Sequence, residues 1–392
     1  MREFLIVLHR WLGLSAGLFF VMQGLTGSLI TFSPELDAWL NPGVLTAPAP
    51  GGAVITADAA AAAARAHMGR APDFINLPGD YVEVYSAWYS GKPKDRFSFG
   101  ESTQVLIDPA SGRVLGQRVW GAPVFDRLNL MPMLFKFHYT LQAGWFGALA
   151  VSILGSLVFV SLVSGVVLWW PRSRAPRGKW KGAFSLGRNA ALFRQLFDWH
   201  RLLGIYSIAV LGGIVFTGLY MAWKIALPEA AKAPVKWVST LGELPALKSR
   251  RQGKEPALGL DAALVSAQQA FAGSRATRVR LPKGADGVID VTLRQEGEWR
   301  KSSGYTRVLV DQYSGARLHV RDPYAVSGGD RFIDALFPLH SGEAFGAASR
   351  VLVCIAGLVP TALFATGAWM WLRRRRQLPM AQVAPSRIGS VA

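Results

Sequence analysis

Four long charge-poor runs dominate the hydropathy pattern, at about residues 12–32, 145–170, 202–223 and 347–372. Each is near or above the roughly 20 residues that a helix needs to cross a bilayer core. The stretches between them follow other rhythms. "TADAAAAAARAHM" from Thr56 and "LDAALVSAQQAF" from Leu260 read as helices opened by an Asp. "DYVEVYSAWYS" from Asp80 and "GVIDVTLRQ" from Gly287 alternate as half-buried strands do. "QVLIDPASGRVL" from Gln104 and "RVLVDQYSGARL" from Arg307 are strands ending in a D-x-x-S-G turn. There the Asp bonds nearby backbone and the Gly accepts positive φ.

These elements form an internal repeat. His9 lies over His200 without a gap, carrying Gly13 onto Gly204 and Thr26-Gly27 onto Thr217-Gly218. In the second and fourth runs, His138 matches His340, and Gly144, Gly155, Gly165 and Trp169 match Gly346, Gly357, Gly367 and Trp371. The predicted fold class is a membrane protein with four transmembrane α-helices in a two-fold internal repeat. Each half runs helix, outer α+β domain, helix, so the halves are parallel repeats about the membrane normal. The expected boundaries are 1–33, 138–171, 196–225 and 339–372 for the membrane helices. Outer domains are expected at 34–137 and 226–338, with a basic loop at 172–195 and a basic tail at 373–392. The glycines of the membrane runs fit close packing of helices or of a flat ligand.

Composition agrees: 51% of the 392 residues are hydrophobic and only 17% charged. The formal charge of +18 raises nucleic acid as a partner, but its distribution points elsewhere. Residues 171–199 hold seven Lys or Arg and one acid, and "RRRR" follows the last run. Basic clusters beside membrane runs mark the cytoplasmic side. Both termini are therefore expected in the cytoplasm, both outer domains beyond the membrane, and no nucleic-acid partner. The first run is too long for a signal-peptide h-region and has a partner in the repeat, so it reads as a retained helix. The single cysteine, Cys354, excludes an intramolecular disulfide.

Of six histidines, only His67 and His319 fall outside the repeat. His9 and His200 open the helices entered from the cytoplasm, and His138 and His340 open those entered from outside. This predicts one matched pair at each membrane face. Two neutral imidazoles suit the axial positions of a haem iron engaged in electron transfer. The cofactor expectation is therefore two haem b, ligated by His9 with His200 and by His138 with His340. No C-x-x-C-H motif exists for covalent attachment, and two histidines fall short of a zinc shell. Arg10 and Arg201 are candidates for haem propionates, with positive-inside anchoring as the alternative role. An all-helical stretch from His138 to Trp169 would span about 46 Å, placing the outer pair at the edge of the bilayer. Phe19, Phe20, Phe159 and Phe216 are candidates for an aromatic path between the layers, lipid-facing packing being the other reading. No catalytic residue beyond the haem ligands is assigned.

The ordered motifs "LHRWLGLSAGLFFVMQGLTGSLITF", "FHYTL", "LWWPR" and "DWHRLLG" resemble the PepSY-associated transmembrane helix family of bacterial inner-membrane proteins. That resemblance covers nearly the whole chain, and makes the outer domains PepSY-like. It extends to ferric-siderophore reductases of the ferrioxamine type. It implies a bis-histidine di-haem protein of the inner membrane, reducing a ferric-siderophore in the periplasm. Reduction releases iron because hard oxygen donors hold Fe²⁺ less well than Fe³⁺. No nucleotide-binding G-x-G-x-x-G follows a strand, leaving quinol, a cytoplasmic reductase or a small reductant as electron donor. Trp88, Tyr89, Trp299, Arg300 and Tyr305 are candidate docking residues. Two other classes compete: a haem-free PepSY regulatory or binding protein, and a permease for the siderophore or its iron. No membrane run carries the buried acid or broken helix of a transport path.

Overall fold

The computed structural model describes residues 1–47, 54–95, 97–171, 178–187, 191–236, 239, 244–251, 253 and 256–376. The expected basic loop and tail fall partly outside them, at 172–177, 188–190 and 377–392. Four helices are long and apolar enough to cross a membrane. They are α1 (Arg2–Ile30), α5 (Gly144–Trp169), α7 (Leu192–Ala226) and α11 (Ala347–Arg376). The shorter helices are α2 (Ser33–Leu40), α3 (Ala57–Met68), α4 (Leu130–Thr140), α6 (Gly178–Ala183), α8 (Pro228–Lys232), α9 (Leu260–Ala270) and α10 (Gly328–Ser341). The chain forms two compact units, one of Met1–Leu25, Leu154–Gly213 and Ile355–Ala392, the other of Thr26–Ile153 and Ile214–Cys354.

The first unit is helical, and small residues set its packing. A Cβ on Gly24 would lie 2.2 Å from the carbonyl oxygen of Gly357, so these two helix backbones touch. Gly17 gives the same room to the Phe364 ring. In a membrane, where helices gain little from leaving lipid, such close approach is a main source of packing energy.

The second unit holds all eight strands. They are β1 (Phe74–Asn76), β2 (Tyr85–Ser90), β3 (Ser102–Ile107), β4 (Val114–Val119), β5 (Arg275–Arg280), β6 (Val288–Arg294), β7 (Thr306–Asp311) and β8 (Arg317–Arg321). Each repeat contributes an antiparallel meander, but the two outer domains expected from the sequence are not separate. They share one eight-stranded sheet, ordered β4-β3-β2-β1-β5-β6-β7-β8. The seam is β1 against β5, with Ile75 opposite Val279. Each meander alone would expose an unpaired edge strand, and antiparallel pairing of the two edges satisfies both.

Strand alternation sorts the two faces. Ile75, Ala87, Val105 and Ile107, with Val279, Val291, Val308 and Val310, pack against the alanine faces of α3 and α9 as one core. The N-termini of α3 and α9 meet and cap each other across the repeat. The Asp261 carboxylate accepts from the amides of Ala57 and Asp58 at 2.9 and 3.0 Å. The Asp58 carboxylate accepts from Leu260 and Asp261 at 2.8 and 3.1 Å. Both D-x-x-S-G turns form as read, with Gly112 and Gly315 each at φ 73°.

Two boundaries are corrected. The helices expected at 138–171 and 339–372 do not begin at their histidines. His138 lies near the end of α4 and His340 near the end of α10, each followed by a break before the spanning helix. The first break holds Leu141 at φ 48° and Gln142 at φ 57°, a conformation side chains resist. The second uses Gly342 at φ 78° and a short 3₁₀ turn at Glu343–Phe345. The about 46 Å all-helical path therefore does not exist.

Because each aspartate caps the other repeat's helix, Asp58→Ala or Asp261→Ala should cost about 1–2 kcal/mol, the range for losing an N-cap. Asn keeps one of the two acceptor oxygens and should recover part of the loss at either position. Thermal unfolding of the purified protein checks this, and equal loss from Asn and Ala would contradict it.

A candidate pair of bis-histidine centres

The two units each hold one histidine pair. In the first unit His9 of α1 faces His200 of α7, with ring centroids 6.3 Å apart and planes at 85°. In the second, His138 of α4 faces His340 of α10, again at 6.3 Å, with planes at 56°. The pairing expected from the repeat is the pairing the fold makes.

The distance is chemically informative. Two ring nitrogens each about 2.0–2.1 Å from one metal, on rings of about 1.1 Å radius, would put linear centroids about 6.3 Å apart. Imidazoles in direct hydrogen bond or stacked contact would sit closer. Among the described residues no group of three or more His, Cys, Asp or Glu is placed to hold a metal ion. Each pair thus brings two imidazoles together without a third such donor, a set that would suit a haem and would leave a tetrahedral ion short of ligands.

Each ring is fixed through Nδ1 by the helix facing it. His9 Nδ1 lies 3.1 Å from the Ser161 carbonyl and 3.0 Å from Ser164 Oγ. His200 Nδ1 lies 2.9 Å from Thr366 Oγ1. His138 Nδ1 lies 2.9 Å from Thr26 Oγ1. His340 Nδ1 meets the Ile214 carbonyl at 2.9 Å and Thr217 Oγ1 at 3.2 Å. The hydroxyls of Ser164, Thr217 and Thr366 already donate to carbonyls of their own helices, those of Ser161, Ile214 and Ala362. They can only accept from the ring, so at those three histidines Nδ1 carries the proton and Nε2 keeps its lone pair. That is the tautomer a metal-ligating histidine needs, set by its outer partner.

The residue after each hydroxyl is a glycine, and each glycine abuts the histidine its neighbour holds. A Cβ on Gly218 would fall 2.6 Å from His340 Cε1, and on Gly165 3.1 Å from His9 Cε1. On Gly27 it would fall 3.3 Å from His138 Cε1, and on Gly367 3.5 Å from His200 Cε1. Thr26-Gly27, Ser164-Gly165, Thr217-Gly218 and Thr366-Gly367 are therefore four copies of one device, in which the hydroxyl orients the ring and the glycine makes room for it. The repeat aligns these glycines, for which close packing of helices or of a flat ligand is expected, whereas Ser164 and Thr366 are not among the residues the repeat singles out. The dipeptide, recurring at matched repeat positions, was the available signal.

The arginines behave differently. Arg201 pairs with the buried carboxylate of Asp198 at 3.0 Å and donates to the Ser185 carbonyl. Its Nε is buried without a protein acceptor. Arg10 is exposed and lies over the Trp11 ring. Phe19 is buried and Phe216 is 47% exposed. Neither they nor Phe20 and Phe159 stack on another ring among the described residues, so no aromatic path is visible. Of the docking candidates, Tyr89 is in the sheet core, a correction that follows from strand alternation, since Trp88 takes the other face. Trp88 stacks on Phe74. Trp299 is exposed beside Phe345, while Arg300 and Tyr305 line a cleft of about 310 Å³ in the second unit.

A family model described as the PepSY-associated TM region matches residues 6–374, and the chain belongs to that family. An uncharacterized protein of Pseudomonas aeruginosa is 27% identical over 269 residues, a match spanning 64% of this chain and 66% of the relative's length.

The glycine distances rank four substitutions. Gly218→Ala should displace His340 and disturb one centre, whereas Gly367→Ala, at an ordinary contact distance, should leave both unchanged. Visible absorption of the haemin-loaded protein reads this directly, and equal effects of the two variants would contradict the cradle.

Proposed function

For this member of the PepSY-associated TM family, we propose a di-haem b electron-transfer protein that reduces a ferric-siderophore on the outer face of the bacterial inner membrane. The observation that carries the proposal is the metal-width gap between two imidazoles, made twice with the same supporting dipeptides. When bound, a haem held by two imidazoles would supply one-electron transfer.

The chain's own residues do the rest. His9 and His200 would hold one haem and His138 and His340 the other, each through Nε2. The serine and threonine hydroxyls keep the rings in register, which limits the rearrangement that accompanies a change of charge. Gly27, Gly165, Gly218 and Gly367 leave the imidazoles the space they occupy. Arg201, with its unused buried Nε, is suited to a propionate oxygen, and Arg10 is free to reach one. One electron converts siderophore-bound Fe³⁺ to Fe²⁺, which oxygen donors hold poorly. The electron comes from quinol, a cytoplasmic reductase or a small reductant on the other side. The basic flanks of the helices support cytoplasmic termini and a periplasmic sheet domain.

The purified protein, reduced by dithionite under argon, should show a low-spin b-type spectrum and return to the oxidised form when a ferric trihydroxamate is added. Absence of that spectrum would reject electron transfer in favour of a haem-free role. A spectrum that persists after the chelate is added would reject ferric trihydroxamates as substrates.

A further inference from the structure

The two halves of the sheet differ on the face turned away from α3 and α9, and the difference is chemical. Cross-strand pairing there aligns one row through each repeat. In the first half it runs Phe74, Trp88, Gln104, Arg118 across β1 to β4. In the second it runs Arg278, Thr292, Arg307, Arg321 across β5 to β8. The first row is filled and neutralised. Phe74 stacks on Trp88, Trp88 meets Trp120, and Trp120 meets Phe135. Its single arginine, Arg118, pairs with Asp37 at 2.8 Å. The second row replaces the two aromatics by arginine and threonine, and above it lies the cleft.

All the lining of that cleft belongs to the second unit: the three arginines of the row, Arg300 and Tyr305 from the β6–β7 connection, and Lys224 at the end of α7 among them. α10 supplies the opposite wall through Asp334 and Phe337. Arg307 is paired with Asp290, and Arg321 with Asp334. Among the described residues, Lys224, Arg278 and Arg300 form no ion pair, although Asp290 attracts Arg278 from a greater distance. Arg278 donates to Asn76 Oδ1 at 2.7 Å and lies over the Phe74 ring. Arg300 lies between the rings of Tyr305 and Phe337, with its Nε buried and unpartnered. Burial, reinforced by Arg300, Arg280 and Arg307, lowers Arg278 to about 10.

Like charges on neighbouring strands destabilise a sheet, and the first repeat shows that this fold can fill the same row without them. A concentration of cations beside an open cleft, kept in one repeat and absent from the other, is therefore a binding feature. We infer that the cleft is a binding site for a small carboxylate-type oxyanion, recognised by Lys224, Arg278 and Arg300. The volume lies at the small-molecule end of ligand pockets, and the planar guanidinium forks match carboxylate geometry. Two sources carry that chemistry. One is a soluble anionic ferric chelate, which would narrow the proposed substrate to an anionic class and in that respect rests on the reductase reading. The other is the carboxylate edge of a haem between His138 and His340, since Phe337 and His340 share α10. The open mouth and the exposed Lys224 favour the soluble anion.

Isothermal titration of the full-length protein in detergent, with citrate and with ferric citrate as probes, tests the inference. Wild type should bind, Arg300→Gln with Lys224→Gln should weaken binding by about tenfold or more, as expected for lost charge-assisted bonds, and Arg113→Gln should not. Lys224→Gln alone, an exposed change, serves if the double variant does not fold. Binding that weakens in this way assigns a soluble anion, and it reads out even in protein that holds no haem. No citrate binding in wild type, with the variants shifting the absorption of the His138–His340 centre, assigns the haem carboxylates as the anion. No citrate binding and no spectral change would overturn the site.

Discussion

The candidate site depends on holding two imidazole rings 6.3 Å apart in each unit. At 6.3 Å between centroids, the rings of a pair make no hydrogen bond to each other among those the structure gives. Two half-buried rings placed this way contribute little to folding, and their orientation must come from elsewhere. It comes from the helix opposite, where the hydroxyl of Ser164, Thr217 or Thr366 accepts a hydrogen bond from Nδ1–H of His9, His340 or His200 and the next residue has no side chain. The hydroxyl is useful because its own hydrogen is committed to its helix, which makes it an acceptor only. A free hydroxyl could satisfy either tautomer and would fix nothing.

The repeat explains why this arrangement occurs twice and why the sheet is single. Duplication places a copy of each motif at a fixed offset, so a constraint satisfied in one unit is available in the other. In the sheet domain the same duplication gives two edge strands with matching backbone, and β1 joins β5. The capping aspartates follow that symmetry, since Asp58 serves the helix of Asp261 and the reverse. Divergence is equally informative. The first repeat fills its outer sheet face with Phe74, Trp88 and Trp120, and the second leaves arginines around a cleft, so one half is braced by packing while the other keeps room for a ligand.

Much of this is legible in the sequence, for identifiable reasons. The four histidines stand at repeat positions, and helix periodicity with alternating topology suffices to pair His9 with His200 and His138 with His340. The D-x-x-S-G turns carry their own local chemistry and form as read. The break after His138 is less visible, because Leu141 and Gln142 adopt left-handed φ, whereas Gly342 marks the one after His340. The fused sheet depends on a contact between strands some two hundred residues apart, which no local pattern encodes. The arginine row is invisible for the same reason, since Arg278, Arg307 and Arg321 become neighbours only through strand register. Tyr89 looked like a surface aromatic and is core, because its strand faces α3 one residue out of phase with Trp88.

The most direct measurement is the haem content of the purified protein, by pyridine haemochromogen assay, in wild type and in two double variants. Two b haems per chain are expected in wild type. One is expected after His138→Ala with His340→Ala, and one, of the other spectral type, after His9→Ala with His200→Ala. A wild-type protein without haem, or a mixed variant such as His9→Ala with His138→Ala that loses only one centre, would contradict the di-haem reading.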